Sequence, residues 1–275
     1  MENKKIKFHK AKKSFGQNFL KSNLALNKIV ETGRVNNEDI VLEIGPGKGV
    51  LTKKLLGKAG RVIAIEKDRD LIEILEEKFK QEIKAGKFIL INQDILEFDI
   101  NKYKSGYKII ANIPYNITGV ILKKFLTENN QPNLVVLMVQ NEVAKRIVAN
   151  DKKESILSIS VKAYGNPKII MKVSKKYFSP APKVDSAIIL IDNINKDLFE
   201  KEKIKEEDFW NIVHHGFAHK RKVLISNLKK SGRQNGRQGL QLNKVFEDLN
   251  LDKKIRAEDL NLENWIKLTK KYFLK

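Results

Sequence analysis

The sequence predicts an α/β fold: a doubly wound, mostly parallel seven-stranded sheet, followed by a small all-helical domain. Three observations carry this expectation. Over about the first 190 residues, short β-branched runs alternate with amphipathic stretches. Nearly continuous apolar strands between helices mark a parallel sheet covered on both faces. The last two such runs follow each other with no helix of comparable length between them, which points to an antiparallel edge. Beyond Asp192 the strand signal stops and only helical periodicity remains.

Strands are expected at Ile40–Ile44, Arg61–Glu66, Phe88–Asn92, Lys108–Asn112, Leu134–Gln140, Ile169–Val173 and Ala187–Asp192. Helical patterns lie among the early ones at Leu51–Leu56, Arg69–Ile83 and Gly119–Leu126. Ser179-Pro180-Ala181-Pro182 belongs to the loop joining the last two strands. In the C-terminal region, helices are expected at Glu206–Ala218, Lys220–Lys230, Leu242–Asn250 and Glu258–Phe273. A Gly/Ser/Gln/Arg loop is expected at Ser231–Gln241. The domains are therefore placed at 1–193 and 194–275.

Composition narrows the function. Of 275 residues, 41% are hydrophobic, enough for a sizeable core, so wholesale disorder is excluded. The longest aliphatic run, Leu134–Val139, falls far short of the roughly 20 residues that cross a bilayer. The Lys-rich N-terminus lacks the apolar stretch of a secretory signal, so a cytoplasmic protein without a membrane partner is expected. Zero cysteines exclude a disulfide framework, a thiolate metal site and a cysteine nucleophile. His215 and His219 are four apart but have no third ligand, so no metal is assigned.

The 54 Lys+Arg exceed the 33 Asp+Glu by 21. This excess is segregated. Asn211–Phe246 holds eight Lys/Arg and no acid, and Ser155–Val184 holds six Lys and no acid. A polyanionic partner follows, with nucleic acid first, because neutralising phosphates releases counterions.

Four strand ends carry the chemistry. After the first strand comes Glu43-Ile44-Gly45-Pro46-Gly47-Lys48-Gly49, opening a helix near Val50. Glycines let backbone N–H groups approach a ligand at a helix N-terminus. A P-loop would need G-x-x-x-x-G-K-[ST], and Gly49 follows Lys48 instead. A dinucleotide fingerprint needs a third glycine where Val50 stands. The remaining G-x-G-x-G pattern, with Gly45 and Gly47, fits a loop that binds S-adenosyl-L-methionine; a close-packed turn is the bland alternative. Glu66 ends the second strand, where an acid can accept both hydroxyls of a ribose. Asp94 follows the third strand, where a carboxylate can accept from an exocyclic adenine amine.

The fourth strand ends in Asn112-Ile113-Pro114-Tyr115, of the N-x-P-[YF] type found where an exocyclic amine of adenine or cytosine is methylated. Such an amine is a poor nucleophile because its lone pair is delocalised into the ring. Hydrogen bonds from its two N–H groups to the Asn112 side-chain oxygen and the Pro114 carbonyl would favour a pyramidal nitrogen. Tyr115 can stack on the base, a contact worth about 1–3 kcal/mol. Positioning supplies most of the rate, with no metal required.

Phe15-Gly16-Gln17-Asn18-Phe19-Leu20, Leu42–Gly47, Asn112–Thr118, Gln140–Arg146 and Phe178–Ala187 together resemble the ribosomal RNA adenine dimethyltransferase family, from about Lys13 to Leu268. The resemblance implies a Rossmann-like class I methyltransferase domain, S-adenosyl-L-methionine as cofactor, and an RNA-binding helical domain. It implies that Asn18 and Leu20 line the cofactor pocket and that Gly45 lies under the methionine part. Glu66 would hold the ribose, Asp94 with the backbone of Ile95 the adenine, and Asn112 would touch both cofactor and target amine. Phe178 is implied near the target base opposite Tyr115; a phenylalanine buried against the sheet is the equal alternative. Arg146, Lys220, Arg221 and Lys222 are the expected RNA contacts, with the last three opening a helix.

Within the family, Lys183–Ala187 and Phe217–Leu224 favour the branch that dimethylates N6 of two adjacent adenosines in the 3′-terminal hairpin of 16S rRNA. The expected substrate is that RNA in the small ribosomal subunit or its precursor, and the expected protein a monomer. A 23S rRNA adenine N6-methyltransferase and a non-catalytic RNA-binding assembly factor are the alternatives. A DNA adenine methyltransferase would usually carry a separate sequence-reading domain, which is not seen.

Overall fold

The computed structural model describes residues 10–12, 15–103, 105–231 and 236–273. The chain forms two compact units: Met1–Ala144 with Asn166–Ile194, and Lys145–Gly165 with Asn195–Lys275.

In the first unit the strands are β1 (Phe19–Leu20), β2 (Ile40–Ile44), β3 (Arg61–Glu66), β4 (Phe88–Asn92), β5 (Lys108–Asn112), β6 (Leu134–Gln140), β7 (Asn166–Val173), β8 (Phe178–Ser179) and β9 (Ser186–Asp192). Seven of them form one sheet in the order β4-β3-β2-β5-β6-β9-β7. β2 to β6 are mutually parallel, and β9 runs antiparallel between β6 and β7. The apolar strands are buried because helices cover the sheet: β6 is buried over six of its seven residues, and Val136, Leu137 and Met138 are fully enclosed. The chain winds outward from β2 to β4 and returns to β5 beside β2. Strand order therefore reverses between β2 and β5, where open α/β sheets bind their ligands.

Two local features shape that crevice. The expected helix Arg69–Ile83 is broken into Arg69–Lys78 and Lys80–Lys84 at Phe79, whose φ of −117° and ψ of 28° are not helical. Burial of the Phe79 ring against Phe88, with centroids 5.3 Å apart, explains the break. Separately, β1 and β8 pair as a two-stranded antiparallel sheet, with Leu20 opposite Phe178.

The second unit is helical and closes around Trp265, Phe209, Phe246 and Leu268, all fully buried. Sequence order alone places residues 145–165 with the sheet, but they pack in the helical unit. The Glu154 N–H donates to the Glu258 carbonyl at 2.7 Å, Trp210 Nε1–H donates to the Tyr164 hydroxyl at 3.0 Å, and that hydroxyl bonds to Glu206. Three helix starts also differ from expectation. The helix expected from Glu258 begins at Leu262, after a 3-10 turn at Ala257–Asp259. The expected helix Lys220–Lys230 begins at Leu224, because residues 219–222 form a turn closed by Lys222 N–H to the His219 carbonyl. The expected loop 231–241 is helical from Gly236, in a helix running to Asp248; residues 232–235 lie outside the described residues. Among the described residues no helix is long and apolar enough to cross a membrane.

Candidate active site

At the switch point one cavity gathers Asn18, Leu20, Gly45, Gly47, Glu66, Asp94, Ile95, Asn112, Pro114 and Tyr115. The glycine loop builds its floor. Gly45, Gly47 and Gly49 have φ of 63°, 57° and 70°, a left-handed run that side chains resist. Space adds a second demand: a Cβ on Gly49 would lie 2.5 Å from the Phe79 ring, and one on Gly47 would lie 3.0 Å from Phe19. The loop thus turns tightly, with the Gly45 N–H donating to the Ile65 carbonyl and the Gly49 N–H to the Pro46 carbonyl, both at 2.9 Å.

Glu66 closes the loop from β3. Its Oε2 accepts from the Gly47 N–H at 3.1 Å and its Oε1 from the Asp68 N–H at 2.9 Å. Burial pushes its carboxyl above the ordinary range, and those two N–H bonds partly offset the rise. At the next strand end, Asp94 is held ionised. Lys67 Nζ donates to its Oδ2 at 2.7 Å and the Leu96 N–H to its Oδ1 at 3.0 Å, which keeps the carboxyl below its ordinary value.

From β5, Asn112 meets the N-terminal segment. One of its Nδ2–H groups donates to the Asn18 carbonyl at 3.2 Å, and Asn112 lines the cavity. Pro114 follows with φ −60° and ψ 131°, and the Tyr115 hydroxyl lies 2.5 Å from Ser186 Oγ on β9. Burial raises the Tyr115 hydroxyl pKa, the Ser186 contact acting in the opposite direction.

Phe178 takes the other course open to it. It is 3% exposed, lies in the core with Leu20 and Ile188, and is absent from the cavity wall. Its backbone pairs with that of Leu20, which lines the cavity, and this burial is what the packing alternative expects. Arg146, Lys220, Arg221 and Lys222 belong to the helical unit and are all exposed. The three consecutive basic residues precede the helix instead of opening it, and Asn227 holds their turn. Its Nδ2–H donates to the Gly216 carbonyl at 2.6 Å and the His219 carbonyl at 3.1 Å.

Glu43, Gln17, Asp68 and Ser186 also belong to this arrangement, although motif reading assigned them no role. Glu43 lines the cavity at 1% exposure, and burial pushes its carboxyl up to about 8. The nearby Thr52 hydroxyl and Lys78 ammonium pull the other way, yet neither Glu43 Oε2 nor Thr52 Oγ1 completes a hydrogen bond. An acid within an otherwise apolar strand was the available signal. The other three depend on contacts between distant segments.

The acceptor set suits the nucleoside half of a cofactor. Glu66 and Asp94 sit at adjacent strand ends, and Glu43 lines the cavity they share.

Comparison with known proteins settles the family. The model of the ribosomal RNA adenine dimethylase family matches residues 8–268. The chain belongs to that family. It is therefore an rRNA adenine methyltransferase, and the sheet unit carries the methyltransferase fold. The chain is 40% identical to the ribosomal RNA small subunit methyltransferase A of Dehalococcoides mccartyi, over 96% of this chain and 89% of that protein. It is 42% identical to the protein of the same name from Mycoplasmopsis pulmonis, over 94% and 98%. A solved dimethyladenosine transferase from Plasmodium falciparum superposes with a TM-score of 0.75 at 28% identity, covering 91% of this chain and 95% of that one. A 23S rRNA methyltransferase, ErmE, shares the fold, with a TM-score of 0.71 at 22% identity over 93% and 99%.

Proposed function

We propose that the protein transfers methyl groups from S-adenosyl-L-methionine to N6 of two adjacent adenosines in the 3′-terminal hairpin of 16S rRNA, during assembly of the small ribosomal subunit. The observation that carries the chemistry is the Asn112 amide. One of its side-chain N–H groups donates to the Asn18 carbonyl and orients the amide, whose oxygen is an acceptor, as an incoming amine requires. Asn112 stands at the end of β5, beside the glycine loop of β2, so amine and cofactor meet where strand order reverses.

When bound, the cofactor supplies a methyl group on a sulfonium, a strong leaving group. Glu66 and Asp94 would hold its ribose and adenine, while Glu43 lines the same cavity. Asn112 Oδ1 and the Pro114 carbonyl would each accept one N–H of the target amine and draw its lone pair out of the ring. Tyr115, steadied by Ser186, would stack on the base. Arg146, Lys220, Arg221 and Lys222 would contact phosphates, positioning the RNA without reading its bases.

Relatives of 40–42% identity named for the small subunit support 16S rRNA over 23S rRNA. The test is to map methylation of small-subunit RNA in cells lacking the protein. Loss of both dimethyladenosines, restored by the wild-type gene and not by Asn112→Ala, is expected. Retention of both marks refutes the assignment.

A further inference from the structure

Among the described residues, Asp68 is the most densely connected acid near the cavity. Its side chain is 1% exposed, and Oδ1 receives Lys12 Nζ at 2.6 Å and its own helix's Asp70 N–H at 3.2 Å. Oδ2 receives Gln17 Nε2–H at 2.8 Å, while its backbone N–H holds Glu66 Oε1. Gln17 is braced in turn, because its Oε1 accepts from the Lys12 N–H at 2.8 Å. The next residue, Asn18, supplies the carbonyl that fixes the Asn112 amide. Consecutive residues of the N-terminal segment thus tie the acid beside Glu66 to the amide on β5.

We propose that Gln17 and Asp68 are positioning residues for methyl transfer: their hydrogen bond sets the Asn18 carbonyl, which in turn sets the Asn112 amide. This rests on Asn112 receiving the target amine. The local chemistry favours a brace. Asp68 already satisfies its helix as N-cap, so the strap uses acceptor capacity the helix leaves over. A buried carboxylate also needs several donors, so release of the strap strands charge away from water. Both ends of the network are therefore held.

The test uses the full chain and two substitutions that exchange donor for acceptor. Gln17→Glu puts two carboxylates face to face, and Asp68→Asn keeps an N-cap side chain while replacing one acceptor with a donor. With saturating cofactor and single-turnover conditions, Gln17→Ala and Gln17→Glu should each lower the methyl-transfer rate by roughly 10–100-fold, the effect of displacing a reacting group by about 1 Å. RNA affinity should be unchanged. Combining Gln17→Glu with Asp68→Asn restores a donor–acceptor pair and should recover most of the rate, which a merely destabilised fold would not do. The Asn112 side-chain amide resonances should move in Gln17→Ala and return in the double variant. An unaltered rate and unmoved resonances in Gln17→Ala overturn the proposal. So does a double variant slower than both singles. If wild-type protein transfers no methyl to RNA, the proposed function fails, and the amide resonances still decide whether the brace exists.

Discussion

Replacing Glu43 by Gln should stabilise the protein, and only above mildly acidic pH. Folded Glu43 titrates near 8 because burial disfavours its charge, against an ordinary value of 4.5 in the unfolded chain. Below about pH 4.5 both states carry the proton and the residue has no pH-dependent effect. As pH rises from there, the unfolded chain loses the proton while the fold retains it, so stability falls until about pH 8. At about 1.4 kcal/mol per unit of separation, the penalty at pH 7 reaches about 3 kcal/mol. Glutamine has the same shape and no charge, but its buried amide N–H takes back about 1 kcal/mol for want of a partner. A net gain of about 2 kcal/mol corresponds to a rise in melting midpoint of roughly 4–8 °C. Thermal melts of both proteins at pH 5, 7 and 8.5, without cofactor, provide the assay. Titrating groups that do not interact with Glu43 cancel in the difference, which leaves Glu43 and its charged neighbours Glu66 and Lys78. The midpoint difference should be near zero or negative at pH 5 and widen steadily with pH. A difference that stays flat across this range would refute the buried neutral acid.

Four other outcomes follow from the site. Glu66→Ala and Asp94→Ala should each weaken cofactor binding by about 1–3 kcal/mol in calorimetry, since each removes hydrogen bonds to a charged acceptor. Asn112→Ala should slow single-turnover transfer on the order of 10²–10³-fold, the scale for one preorganised polar group, while filter binding shows unchanged RNA affinity. Phe178→Ala should destabilise the sheet unit by about 3–5 kcal/mol in urea unfolding, because the ring is core. Changing Lys220, Arg221 and Lys222 together to Ala should weaken RNA binding and flatten its salt dependence by roughly 0.7–0.9 per lost phosphate contact, with cofactor affinity unaltered.

Six of the seven long strands were legible because each is a short, nearly pure apolar run bounded by turn residues. The exception, β7, was legible only from Ile169, because its first residues, Asn166-Pro167-Lys168, carry no apolar run and lie at the sheet edge. The site was legible for a related reason. Gly45, Glu66, Asp94 and Asn112 occupy successive strand ends, and a parallel sheet brings those ends to one edge. What stayed hidden depended on partners far away in the chain. The two-residue strands Phe19–Leu20 and Phe178–Ser179 have no periodicity of their own and exist only through each other. That same pairing accompanies the burial of Phe178, as the packing alternative expects. Residues 145–165 lie between sheet strands in order, yet Tyr164 is drawn to Glu206 and Trp210. The basic turn looked like a helix start because Lys and Arg favour helices. Its contacts show why the helix waits for Leu224: Asn227 takes up the carbonyls of Gly216 and His219.

The account stands on one claim, that Asn112 and Pro114 at the end of β5 activate an adenine amine on small-subunit RNA. The direct measurement is single-turnover reaction of the purified protein with small-subunit particles lacking the modification, using a methyl-labelled cofactor, followed by nucleoside mass spectrometry. Label is expected in N6,N6-dimethyladenosine at two adjacent positions of the 3′-terminal hairpin, accumulating on the order of 10²–10³-fold more slowly with Asn112→Ala. Label in another nucleoside, in 23S rRNA instead, or undiminished in the Asn112→Ala protein would contradict it.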